Sequence, residues 1–129
     1  MTIKTKKIIG WLLSGLTGLM LSASAVDKIM GSAHALQMGA SFGLSAGTYS
    51  LLGIIEILSV VLFLYSRTGI LGTLLLSSYF GGAIATHLQH QQNILFPAAI
   101  EAVVWIAAVI RFPELINRIF NTKASNKEV

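Results

Sequence analysis

A chain of 129 residues that is 54% hydrophobic and only 11% charged cannot coat a water-facing globule, because a soluble domain carries about 25% charged residues. Mean hydropathy is +0.76, and the net charge of +4 comes from basic residues that flank apolar runs, so it reads as membrane topology and not as a nucleic-acid surface. The absence of cysteine excludes disulfides, thiolate catalysis, iron–sulfur ligation and Cys-based zinc.

The first apolar run, about residues 8–26, follows Lys4, Lys6 and Lys7 and precedes Asp27 and Lys28. It is long enough to cross a bilayer. Gly10, Ser14, Gly18 and Ser22 recur every fourth position, a smooth stripe that lets another helix approach closely. The same segment, ending in Ala23-Ser24-Ala25, also fits a signal peptide with a cleavage site, so residues 1–25 carry two readings. Residues 29–47 are glycine-rich, with His34 and Gln37 among them, and predict a short interfacial or re-entrant helix. A second span covers 49–66 and is interrupted by Glu56. Arg67-Thr68-Gly69 turns the chain into a third span, 70–86, which His87 ends. After a loop containing Gln89, His90, Gln91 and Gln92, a fourth span covers 94–110 with Pro97 in its first turn, where a missing N–H costs least. It carries Glu101. Residues 111–129 form a basic tail in which Leu115, Ile116, Ile119 and Phe120 mark one amphipathic interfacial turn.

The predicted fold is therefore an all-α membrane protein, a bundle of four transmembrane helices in one domain over 1–129. Four spans put both termini on one side, with Lys4, Lys6, Lys7, Arg67, Arg111, Arg118, Lys123 and Lys127; the other side has only Lys28. The positive-inside rule makes the termini cytoplasmic. The two halves also repeat a layout: a span, a polar loop, then a span with an internal Glu closed by an Arg. At about 1.5 Å per residue, Glu56 and Glu101 lie roughly 15 Å above the arginines, near the membrane midplane.

An ionised acid at that depth costs roughly 2.5–3.5 kcal/mol on insertion scales, so intramembrane carboxylates are functional candidates by default. Glu56 and Glu101 are the candidate buried proton or ligand site, read as a carboxylate pair whose members interact. Lys28, Asp27 and His87 are the candidate outer entrance. Lys28 admits two readings: an ion pair with Asp27 at the boundary, or an ammonium reaching inward to Glu56 or an anionic ligand. The tyrosines read as an interfacial belt. The histidines lack metal-ligand spacing, and no mid-span histidine offers a haem ligand, so no metal is expected.

Val26-Asp27-Lys28-Ile29, Gly53-Ile54-Ile55-Glu56-Ile57, the Arg-Thr-Gly turn and Tyr79-Phe80-Gly81-Gly82-Ala83-Ile84-Ala85-Thr86-His87, in this order and spacing, resemble the DoxX-like family of small bacterial integral membrane proteins. The resemblance covers about residues 8 to 112. It implies an inner-membrane location and points to Lys28 and Glu56 as positions that matter. Some members are linked to thiosulfate:quinone oxidoreductase or other membrane redox complexes, and distant relatives look like chaperones or cargo receptors. The leading expectation is a non-autonomous subunit of a quinone-linked redox system, with quinone as its lipid-soluble cofactor and a membrane or peripheral redox partner. A structural or assembly protein that binds partner helices, and a small homo-oligomeric transporter, are the alternatives.

Overall fold

The structure, a computed structural model, describes residues 1–121. Lys123, Lys127 and Glu128 of the expected tail lie outside the described residues. Among those described, the chain forms α1 (Ile3–Met30), α2 (Ala33–Ser41), α3 (Ala46–Leu64), a 3-10 turn (Ser66–Thr68), α4 (Gly69–Gln89), α5 (Leu95–Arg111) and α6 (Pro113–Phe120).

The first helix is longer than its apolar run. The Thr2 side chain caps it by accepting from the Thr5 N–H, and Gly31 ends it in the left-handed conformation at φ 67°, so the lysines before the run and Asp27 and Lys28 after it are all helical. Ser32 caps α2 and Ser45 caps α3 in the same way as Thr2 caps α1. The segment between the first two spans thus holds a nine-residue helix, α2, packed on α1 and α3.

The long helices close into a ring: α1 neighbours α3 and α5, and α4 neighbours α3 and α5. This leaves α1 diagonally across from α4, and α3 across from α5, the arrangement a parallel repeat about the bundle axis requires. Phe63, Leu76, Val60 and Val104 fill the centre, with Ala107 and Ala108 letting α5 come close. Leu12, Leu16, Leu19, Leu51, Leu58, Val61, Leu71, Leu74 and Ile106 point outward. An apolar exterior around an apolar centre is what a lipid solvent requires. Helices α1, α3 and α4 are each long and apolar enough to cross a membrane. Helix α5 has 17 residues, a rise of about 26 Å, near the lower limit for a span. It stops because Phe112 precedes Pro113 and is pushed out of helical geometry, to φ −123° and ψ 81°; α6 then leaves at 104°. Helix α6 buries Leu115 and exposes Ile116, Ile119 and Phe120, as the amphipathic pattern predicts.

The turn between α3 and α4 shows how backbone groups are satisfied inside an apolar bundle. The last four carbonyls of any α-helix lack intrahelical partners. Here the Val61 carbonyl accepts from the Tyr65 N–H and the Leu62 carbonyl from the Thr68 hydroxyl at 2.8 Å. Arg111, arriving from α5, donates to the Phe63 carbonyl at 2.8 Å, the Leu64 carbonyl at 3.4 Å and the Ser14 hydroxyl at 3.1 Å. Its guanidinium lies 4.1 Å from the centre of the Trp11 ring. One side chain therefore ties α1, α3 and α5 together. Arg111→Met keeps the stem and removes the donors, and it is expected to lower stability by about 2 kcal/mol, within the cost of leaving buried carbonyls unpaired. Arg111→Lys should recover less than half of that, because an ammonium cannot both stack and bridge three acceptors. Unfolding in mixed micelles reads both; a fully stable Arg111→Met would refute the clamp.

Candidate functional site

Gly53 sets up the site. A Cβ there would lie 2.8 Å from the Ala25 carbonyl oxygen and 2.9 Å from Lys28 Cβ, so the missing side chain is what lets α1 and α3 touch at this level. Glu56 is one turn further along the same face of α3. Lys28, near the end of α1, therefore needs only its own stem to reach inward. Its Nζ donates to Glu56 Oε2 at 2.7 Å and to Ser24 Oγ at 2.9 Å. The Tyr79 hydroxyl, from α4, donates to the same Glu56 oxygen at 3.3 Å. The ammonium also lies 5.6 Å and 5.7 Å from the ring centres of Tyr49 and Tyr79. Glu56 is 1% exposed and Lys28 12% by side chain, so this is a buried ion pair embedded in a polar cluster. Of the two readings of Lys28, the geometry is the inward one; the Asp27–Lys28 bridge is not formed. Asp27 instead meets His34 Nδ1 at 3.2 Å on the exposed side, an ion pair only when that imidazole is protonated.

The cluster opens into a cavity of about 660 Å³. All the long helices contribute to it: Leu21 and Ser24 from α1, Leu52 and Ile55 from α3, Ser78, Phe80 and Ala83 from α4, Pro97 and Ile100 from α5. His34 and Met38 of α2, with Phe42 and Leu44 beyond it, line it too. The walls are mostly apolar, and Lys28, Glu56, Tyr79 and His87 are among the polar side chains that line them. His87 packs against Phe42 with the ring centres 4.7 Å apart and the planes tilted by 53°. Its Nδ1 lies 2.7 Å from the Ala83 carbonyl, which can only accept, so the proton is assigned to Nδ1 and a neutral ring offers Nε2 as an acceptor.

The expected carboxylate pair is corrected. Glu56 and Glu101 belong to separate networks, because α3 and α5 sit diagonally in the ring and each acid faces a neighbouring helix instead. Glu101 accepts from Ser77 Oγ at 2.9 Å, and that hydroxyl accepts from Trp105 Nε1 at 3.2 Å. Glu101 is half-buried and does not line the cavity. Of the expected residues, the structure gathers Lys28, Glu56, Asp27 and His87 around one cavity and leaves Glu101 out. Tyr79, Tyr49 and Ser24 are the residues sequence reasoning missed. Ser24 was findable, four positions before Lys28 on one helix face; the tyrosines were absorbed by the belt reading. Among the described residues, no group of three or more His, Asp or Glu could hold a metal ion.

A family model described as the DoxX-like family matches residues 12–109, most of the chain. No curated protein and no solved structure matches it.

Proposed function

The chain belongs to the DoxX-like family, a multi-pass membrane protein, and on that premise we propose that it holds a lipid-soluble ligand of the quinone class in the Lys28–Glu56 cavity, as a non-autonomous subunit of a membrane redox system. The single observation that carries this reading is a buried, hydrogen-bonded ion pair facing an apolar cavity of ligand size. In this reading α5 is the fourth crossing, and the positive-inside rule puts both termini on the cytoplasmic side of the inner membrane. The Lys28–Glu56 layer then lies toward the outer half.

The residues fit such a group. A quinone is a flat ring with two carbonyl acceptors and an isoprenoid tail. Lys28 carries a third N–H beyond those given to Ser24 and Glu56, and this is a donor for one carbonyl. The Leu, Ile, Phe and Pro side chains of the cavity suit the ring and tail. When bound, a quinone supplies paired electron and proton exchange. The chain's own part is to position the ring and to handle protons: Glu56 and His87, which both line the cavity, take that role in this reading, and Tyr79 keeps the carboxylate aimed. The electrons go to a partner, since a chain without cysteine has no thiol couple.

The test is gentle purification from the native membrane with mass spectrometry of the co-purifying lipids. Near-stoichiometric quinone in the wild type, reduced at least tenfold in Lys28→Met/Glu56→Leu, is the expected result. A quinone content equal to the membrane background in both proteins would sink the reading. An assembly role is the second reading. It is favoured by Gly81 on α4, which is exposed, lies outside the cavity lining and has open space around it, and so offers a point of close approach to a partner helix.

A further inference from the structure

The opposite end of the bundle, where Arg111 closes α5, has a second cavity, of about 370 Å³. Lys6, Lys7, Ser66 and Arg111 supply its polar wall, and Trp11 and Phe112 part of its apolar one. Among the described residues that line it are three cations and no acid. The hydrogen-bond partners of Arg111 are a hydroxyl and two carbonyls, all neutral. Among the described residues, the ion pairs are Lys28–Glu56 and His34–Asp27, so Lys6, Lys7 and Arg111 have no carboxylate partner. Glu114, the nearest acid to Arg111 in sequence, does not line the cavity. The guanidinium also has more N–H donors than its three bonds use.

We infer that this cavity binds the phosphate-bearing headgroup of an anionic phospholipid. A tetrahedral anion seated there meets two ammonium groups on flexible stems and a guanidinium whose orientation is already locked by α3 carbonyls and the Trp11 ring. Free phosphate would satisfy the same charges, but the surroundings favour a lipid. The cavity lies at the corner where α6 turns by 104°, and α6 exposes Ile116, Ile119 and Phe120 there. Ile8 and Leu12, one and five positions after Lys7 on α1, are exposed as well. An acyl chain running beside α1 would cover such side chains while its headgroup sits among the cations. Basic pockets between membrane helices recognise lipid headgroups in this way. This inference is independent of the quinone reading, which concerns the other end of the bundle.

The test is native mass spectrometry of the delipidated full chain in detergent, titrated with phosphatidylglycerol or with phosphatidylcholine of the same acyl composition. The wild type is expected to retain one phosphatidylglycerol in preference to phosphatidylcholine. Lys6→Gln/Lys7→Gln should weaken that binding by about twenty-five-fold, at roughly fivefold per lysine near a charged surface. Both lysines are exposed, so the fold should survive the change. Lys4→Gln/Arg118→Gln removes two cations of the same end that do not line the cavity, and should alter binding by less than a quarter of that factor. Equal retention of the two lipids would overturn the inference, and so would an equal loss in the Lys4/Arg118 control. Displacement of the lipid by inorganic phosphate at matching concentration would assign the site to a free anion and overturn the lipid.

Discussion

Lys28→Met is expected to destabilise the bundle by about 3 kcal/mol, the lower end of what breaking a buried ion pair costs. It strands the Glu56 carboxylate, 1% exposed, with the Tyr79 hydroxyl at 3.3 Å and the Ser24 hydroxyl as its remaining, neutral donors. Glu56→Leu should cost less than Lys28→Met, because the stranded group differs. The Lys28 ammonium keeps Ser24 and two tyrosine ring faces, and its stem starts two residues before the end of α1, close enough to the boundary to turn outward. The double variant Lys28→Met/Glu56→Leu replaces the pair with apolar side chains of similar length, and should return to within about 1 kcal/mol of wild type or exceed it. Equilibrium unfolding of all four proteins in mixed micelles is the measurement. A double variant whose loss is the sum of the single losses would show that the pair is not a coupled unit. The recovery matters for function as well. A folded protein without the ion pair separates a stability role from a ligand role, which neither single variant can do.

How far the sequence reached is visible at particular residues. Helix positions were legible because apolar runs and basic ends obey the solvent, and α3, α4 and α5 begin and end within three residues of the apolar runs read as spans. The amphipathic helix around Leu115 to Phe120 was legible for the same reason: its period is local. Helix α1 extends past its apolar run at both ends because capping and helical hydrogen bonding, set by Thr2 and Gly31, do not stop where hydropathy does. The Glu56–Glu101 pair failed for a non-local reason. Depth is computed from residue count along one helix, but azimuth around the bundle depends on ring order, and ring order is not written in any one segment. Equal depth therefore did not become contact. The role of Arg111 was hidden in the same way. As a sequence feature it is one more basic residue at a membrane boundary; only the juxtaposition of α5 with the end of α3 makes it a cap for two carbonyls. Lys28 and Glu56 stood out individually, by type and by likeness to the family pattern, and Gly53 explains why they can meet.

Gly72→Ala is expected to destabilise the bundle by about 3 kcal/mol, at the upper end of overpacking costs. The added methyl would overlap the backbone nitrogen and Cα of Phe63 and the carbonyl carbon of Leu62. Those atoms cannot rotate away as a side chain would. Relief requires α3 and α4 to separate just above their turn, which pulls on the Thr68 hydroxyl bond to Leu62 and the Arg111 bond to Phe63. Phe63 is fully buried at the centre of the core, so the displacement spreads to Leu76 and Val104. Against this stands a gain in helix propensity, about 1 kcal/mol for Gly to Ala in a helix interior. Gly81→Ala isolates that gain. It is the same chemical change on the same helix, nine residues on, with no atom within 4 Å of the new Cβ. It should leave stability unchanged or raise it by up to about 1 kcal/mol. Opposite signs for the two variants in one unfolding assay would locate the α3–α4 contact at the backbone. Equal and small effects would mean the helices are further apart than this packing requires, and the route by which α4 brings Tyr79 to Glu56 would then need to be rebuilt.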